Sequence, residues 1–245
     1  MGALLLLLLL QPYASSVDYK LVRVKAVRIS NSELLEWGIK AISVDNLTVV
    51  YSFPYDFLYM GIYTGGESVT LKPLIGPCVC GISEFLVYNG SLFFVSNDGA
   101  TPHTACDEVV ELNPHNLSMR NWVLSWDARE RINPERAGNI PYAQVDIGLD
   151  ESGELWAKVY LLFENETLYY FYSGGNFTLV NETPSSLSLP KPRKVDVVVQ
   201  NGSFYLKIPM ETERVPESRG VSWNVVLYGV VGALVIVLLL GIKRR

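Results

Sequence analysis

The chain is 245 residues long, 49% apolar and only 18% charged, with a mean hydropathy of +0.20 and a formal net charge of −5. This excludes an intrinsically disordered protein, which lacks apolar residues, and a nucleic-acid-coating one, which needs a basic surface. The apolar excess is concentrated in two end segments, and the roughly 200 residues between them are enough for a hydrophobic core.

Residues 3–10 read ALLLLLLL, followed after a polar turn by Ala14, Ser15 and Ser16. A run this short cannot cross a bilayer, which takes about 20 apolar residues. Small residues behind it suit a signal peptidase, so residues 1–16 are expected to be a signal peptide, although no Lys or Arg precedes the run. The mature head is then expected to cover residues 17–208. Its first stretch, YKLVRVKAVRI over 19–29, places Val22, Val24 and Ala26 on one face and charges mainly on the other, the pattern of a strand.

Hairpin turns follow at Asp45-Asn46, Asn89-Gly90, Gly153 and Asn201-Gly202. Two stretches repeat: FLYMGIYTGGESVTL at 57–71 is similar to TLYYFYSGGNFTL at 167–179, and VDIGLDESGELWAKV at 145–159 to VDVVVQNGSFYLKI at 195–208. The repeats divide the head into units at 38–74, 85–126 and 144–181, with half a unit at 195–208. Such spacing resembles β-propeller blades, each a four-stranded sheet that cannot bury its face alone. The expected fold is all-β, a β-propeller-like ectodomain of about four blades closed by the N-terminal strand, with a β-sandwich as the alternative. The insertion at 127–142, containing Arg129, Glu130, Arg131, Glu135 and Arg136, lacks strand alternation and reads as a solvated loop.

Residues 209–224 are rich in Pro, Glu and Arg and read as a stalk. Residues 225–242 are uncharged, about 27 Å long as a helix, with Trp223 and Tyr228 near the first end; this is expected to be one C-terminal transmembrane helix. Lys243, Arg244 and Arg245 follow as a cytoplasmic tail, placing the head outside the cell. All 25 acidic residues lie before this tail and three of the 20 basic ones within it, so the rest of the chain carries −8 and no nucleic-acid partner is expected.

The acceptor pattern Asn-x-Ser/Thr occurs at Asn46, Asn89, Asn116, Asn165, Asn176, Asn181 and Asn201, seven of 14 asparagines. Chance would supply about two. Asn181 is the weakest because Pro184 follows its threonine. Cys78, Cys80 and Cys106 are an odd set: one disulfide from Cys106 to Cys78 or Cys80 ranks first, and a metal site that adds His103 ranks second.

No nucleotide, metalloprotease or nucleophile-elbow motif is present, so no cofactor is expected. His115, in an Asn-Pro-His turn, reads as a surface residue. A glycan-active hydrolase would need paired carboxylates, for which Asp45, Asp146 and Asp196 fall at comparable places, though a repeated structural turn explains them with less strain. The aromatic runs Tyr51, Phe53, Tyr55, Phe57 and Tyr169, Tyr170, Phe171, Tyr172 alternate, so half of each faces outward and could bind a glycan or protein.

The layout of signal, sequon-rich β head with sparse cysteine, short stalk, single anchor and minimal tail resembles a surface glycoprotein of archaeal type, or an envelope protein of a virus of such a host. That resemblance implies a cell-membrane protein acting in binding, adhesion or envelope structure, with another envelope protein or a glycan as partner. It rests on architecture and not on a diagnostic motif.

Overall fold

The computed structural model describes residues 18–75, 81–97, 107–136 and 142–210. The expected signal peptide, membrane span and tail, nearly all of the stalk, and Cys78, Cys80, His103 and Cys106 lie outside the described residues. Among the described residues no helix is long and apolar enough to cross a membrane.

Strands form wherever apolar and polar residues alternate between turn signals. In chain order they are β1 (Tyr19–Ala26), β2 (Lys40–Val44), β3 (Leu47–Ser52), β4 (Leu58–Tyr63), β5 (Ser68–Ile75), β6 (Gly81–Tyr88), β7 (Ser91–Asn97), β8 (Glu108–Leu112) and β9 (Met119–Trp122). There follow β10 (Ala143–Leu149), β11 (Leu155–Leu161), β12 (Glu166–Ser173), β13 (Asn176–Val180), β14 (Arg193–Lys194), β15 (Asp196–Gln200) and β16 (Ser203–Pro209). Helix α1 (Asn31–Trp37) follows β1, and α2 (Leu124–Ile132) follows β9. The tightest hairpins turn on residues in the left-handed region, Asn89 (φ 49°) with Gly90 (φ 80°) and Asn201 (φ 50°) with Gly202 (φ 68°). Asn and Gly tolerate that conformation, and its twist matches the flanking strands.

Both repeated hairpin pairs exist: β4–β5 and β12–β13 turn on the paired glycines, and β10–β11 and β15–β16 on the other matched turns. The three complete units are antiparallel meanders, β2–β5, β6–β9 and β10–β13. Strand β1 also joins the C-terminal hairpin as expected.

The closure departs from four separate blades. Strand β1 lies between β16 and β5 and pairs with β5 in parallel, Arg23 opposite Ser68 through Ala26 opposite Leu71. The first meander and the closing hairpin therefore become one eight-stranded sheet, ordered β14-β2-β3-β4-β5-β1-β16-β15. Its two edge strands are separated in sequence only by Val195, whose N–H donates to the Ala41 carbonyl at 2.9 Å, so the sheet is nearly closed into a barrel. Pairing β1 with β5 satisfies an edge that would otherwise expose a row of peptide groups.

The barrel interior holds Val22, Val24, Ala41, Val50, Val69, Leu71, Phe204 and Leu206, with Leu34 of α1 fully buried among them. Helix α1 begins with a capping box: the Glu33 N–H donates to Ser30 Oγ at 3.3 Å and the Ser30 N–H to Glu33 Oε2 at 2.7 Å. The β6–β9 sheet is buried on both faces. Phe85, Leu92, Phe94, Val110 and Leu112 pack on the outer face of β2–β4, while Leu86, Phe93, Val95 and Val109 pack on the β10–β13 sheet. Each such side chain contributes about 1.5–3 kcal/mol through the apolar area it removes from water.

The 127–142 insertion is not simply a solvated loop. Its first part belongs to α2, whose Leu124 and Ala128, four residues apart on one face, enter the core between sheets; a short 3₁₀ turn at Pro134–Arg136 follows. Arg129 is only 2% exposed, and its Nε lies 3.2 Å from Glu164 Oε1, so the ion pair allows a charged residue to sit in an apolar seam.

Candidate functional site

All seven sequon asparagines are exposed. Asn46, Asn89 and Asn201 occupy hairpin turns, Asn165 the turn before β12, and Asn181 the residue after β13. Several have their side-chain carbonyl already engaged: Asn116 Oδ1 accepts from the Ser118 N–H at 2.8 Å, Asn165 Oδ1 from the Tyr160 hydroxyl at 2.8 Å, and Asn176 Oδ1 from Trp122 Nε1 at 2.7 Å. That arrangement leaves the amide nitrogen, the atom a glycan is attached to, uncommitted among the described bonds. Asp45 and Asn46 form a tight turn, and Asp45 is exposed with φ 50°. Its place is that of a turn residue. His115 is exposed, its N–H held by Asn113 Oδ1 at 2.9 Å.

Alternation divides only the second aromatic run, with Tyr170 and Tyr172 buried and Tyr169 and Phe171 half-buried; the first, whose four residues share one parity, is divided because β3 ends at Ser52 and a turn follows. Tyr51, Tyr170 and Tyr172 are buried, whereas Tyr55 is 54% and Phe57 39% exposed. Tyr55 is the notable one. Its φ of 55° is rare for an aromatic residue and costs backbone energy, of order 1–3 kcal/mol. This conformation sets the ring beside Trp37 at the end of α1, itself 43% exposed, with centroids 5.5 Å apart. The Tyr55 hydroxyl donates to Glu33 Oε1 at 3.3 Å, so the capping carboxylate that starts α1 also anchors the ring. The Ser30 N–H holds the Glu33 carboxyl below its ordinary range, and the charge of Glu33 in turn raises the Tyr55 phenol. The result is an outward two-ring platform, the geometry that stacks on a sugar face or an apolar side chain.

A second site was only half legible. Asp146 on β10 gathers Gln144 Nε2 at 2.8 Å and Lys158 Nζ at 3.4 Å, and beside it stands Glu84, which sequence reasoning missed. Glu84 sits where β6 slips register against β7, between Ser83 and Leu86, with φ 56°. The bulge turns its carboxylate across the seam to accept the Ile147 N–H at 2.5 Å. Burial pushes the Glu84 carboxyl up to about 7, offset by the Ile147 N–H and reinforced by Asp146 and Asp107. A cavity of about 410 Å³ lies over this pair, walled by Tyr169 and by the strap through Ser185 and Leu187. The strap is fastened by reciprocal Leu149–Ser188 backbone bonds at 2.8 Å. The available signal was the adjacent apolar pair Phe85-Leu86, which breaks strand alternation and marks a bulge.

Glu84 and Asp146 line the same cavity, and the Asp146 charge favours the protonated Glu84. Two carboxyls placed side by side in this way can share a proton. Asp196 is exposed on β15, in a different sheet from Asp146, and the structure does not bring the three expected aspartates together. Among the described residues no group of three or more His, Cys, Asp or Glu side chains is arranged to hold a metal ion.

The chain matches no known protein family, no characterised protein and no solved structure closely enough to mark a relative.

Proposed function

We propose that the chain is a membrane-anchored extracellular glycoprotein of the single-pass, signal-peptide-bearing kind, acting as a binding, adhesion or envelope-structural module. The observation that carries this reading is the exposure of all seven sequon asparagines, five of them at turns joining strands, where a transferase can reach an extended acceptor. The chain ends agree with it. The Met210 N–H donates to the Asp18 carbonyl at 2.8 Å, so the residues nearest the two apolar runs, Asp18 and Met210, lie side by side. The head is read as propeller-like in the face-to-face stacking of its four-stranded sheets, with the barrel closing one end of the stack.

The Trp37–Tyr55 platform is the contact surface this reading favours. Aromatic residues with a polar tip supply large contact area at low entropic cost, and a glycan or an envelope protein is the matching partner. The test uses the full chain produced in N-glycosylating cells. Expected are retention in carbonate-washed membranes, a stepwise mobility shift on glycosidase treatment, and an envelope partner or glycan captured by the native chain but lost with a Trp37→Ala, Tyr55→Ala variant. A chain that is unglycosylated and washes off membranes would refute the proposal.

A further inference from the structure

Beside the Trp122–Asn176 hydrogen bond, at the seam between the β6–β9 and β10–β13 sheets, lies a groove of about 560 Å³. That is within the roughly 300–1,000 Å³ range of small-molecule sites. Asn121, Trp122, Asp127, Arg131, Tyr170 and Phe177 line it, and so do Asn176 and Thr178, the acceptor and hydroxyl residues of one sequon. Asn176 and Thr178 alternate onto the exposed face of β13, while Phe177 between them is buried against Trp122 with ring centroids 5.2 Å apart.

We infer that this groove holds the inner sugar of the chain's own glycan on Asn176, making that glycan an internal clamp across the seam. The inference rests on the glycoprotein reading above. Trp122 comes from β9 and Asn176 from β13, so the 2.7 Å bond already joins the two sheets and orients the side chain by its carbonyl oxygen. The groove offers what a sugar requires. An indole supplies an apolar face for ring C–H groups, and Asp127, Arg131 and Asn121 supply acceptors and donors for hydroxyls. Asp127 is pre-positioned by two bonds at 2.8 Å, from Arg131 Nε and from the Tyr170 hydroxyl. A tethered sugar experiences an effective concentration in the millimolar range, so even a weak site fills. Asn46, Asn116, Asn165 and Asn201 line none of the described cavities, so glycans on them would project into solvent.

The full chain from glycosylating cells, in detergent, tests this with three variants. Thr178→Ala removes the sequon and keeps Asn176; Thr178→Ser keeps both; Ser203→Ala removes the sequon of Asn201. Mass spectrometry should find Asn176 occupied, and a glycosidase acting on native protein should release the Asn46 and Asn201 glycans about tenfold faster than that of Asn176. Thr178→Ala should lower Tm by roughly 2–4 °C, with Thr178→Ser and Ser203→Ala as controls that move by less than about 1 °C. Asn176 unoccupied while other sites are occupied, equal release rates, or a Thr178→Ala shift no larger than that of Ser203→Ala would each overturn the clamp. If none of the seven sites carries sugar, the glycoprotein reading itself fails.

Discussion

Glu84 makes the stability of the head depend on pH in a direction opposite to that of most carboxylates. In the unfolded chain it ionises near its ordinary value of 4.5, and in the folded chain only at about 7. Below pH 4.5 both states hold the proton and its contribution is fully present. Between 4.5 and 7 the unfolded state alone releases the proton, so stability declines as pH rises, and above 7 the loss is complete. At full strength that interval corresponds to ~3.4 kcal/mol. Glu84 is only partly buried and solvent screens it, which reduces the expected loss to about 1–2 kcal/mol. Burial is its main cause, reinforced by the negative charges of Asp146 on β10 and Asp107 ahead of β8 and opposed by the Ile147 N–H. Glu84→Gln replaces the protonated form by an uncharged isostere whose amide can donate to Asp146 while its oxygen keeps the Ile147 N–H. Urea unfolding of the full chain followed by tryptophan fluorescence at pH 5, 6, 7 and 8 should show the native midpoint falling and that of Glu84→Gln nearly level. A native midpoint that is flat over this window, or a Glu84→Gln chain that falls just as steeply, would refute the reasoning.

Three further outcomes follow from packing and capping. Arg129→Ala strands Glu164 without its partner in a site where both side chains are under a tenth exposed, and should cost about 3–5 kcal/mol, whereas Arg129→Met with Glu164→Leu should recover most of it in a double-mutant cycle. Gly61→Ala would put a Cβ 2.6 Å from the Thr70 carbonyl oxygen, forcing β4 and β5 apart; a loss of about 1–3 kcal/mol in the urea midpoint is expected. Ser30→Ala removes the acceptor of the Glu33 N–H and loosens the carboxylate that anchors Tyr55, so it should cost about 1 kcal/mol and also weaken capture of any partner by the Trp37–Tyr55 platform.

Hairpins were legible because their determinants are local. Asn-Gly and Gly-Gly pairs between alternating strands specify both turn and register, which is why the three meanders and the β15–β16 hairpin can be read from residues alone. The β1–β5 pairing has no turn to announce it. It is parallel and depends on which edge remains unsatisfied once the meanders form, so a ring of blades and an edge-joined barrel look alike in sequence. Arg129 was misplaced because its compensating partner, Glu164, lies in a turn on another sheet and composition alone marks a charged residue as exposed. The candidate sites show the same division. Sequons follow from a short pattern, whereas Tyr55 and Phe57 turn outward because β3 ends at Ser52, and Glu84 acquires its character from a bulge and from Asp146, 62 positions away.

The insertion of β1 between β5 and β16 also orders events in time. One edge of β1 can pair as soon as Ile75 has been made, but the other waits for Ser203 and the strand it begins. Roughly 130 residues separate those points, an interval of about 6–25 seconds at ordinary synthesis rates. During it the nascent head presents an open strand edge to every neighbouring chain, a template for intermolecular pairing. The sequons at Asn89, Asn116, Asn165 and Asn176 all emerge within that interval. Sugars added to them as the chain appears would provide bulk and hydration while the barrel is still open.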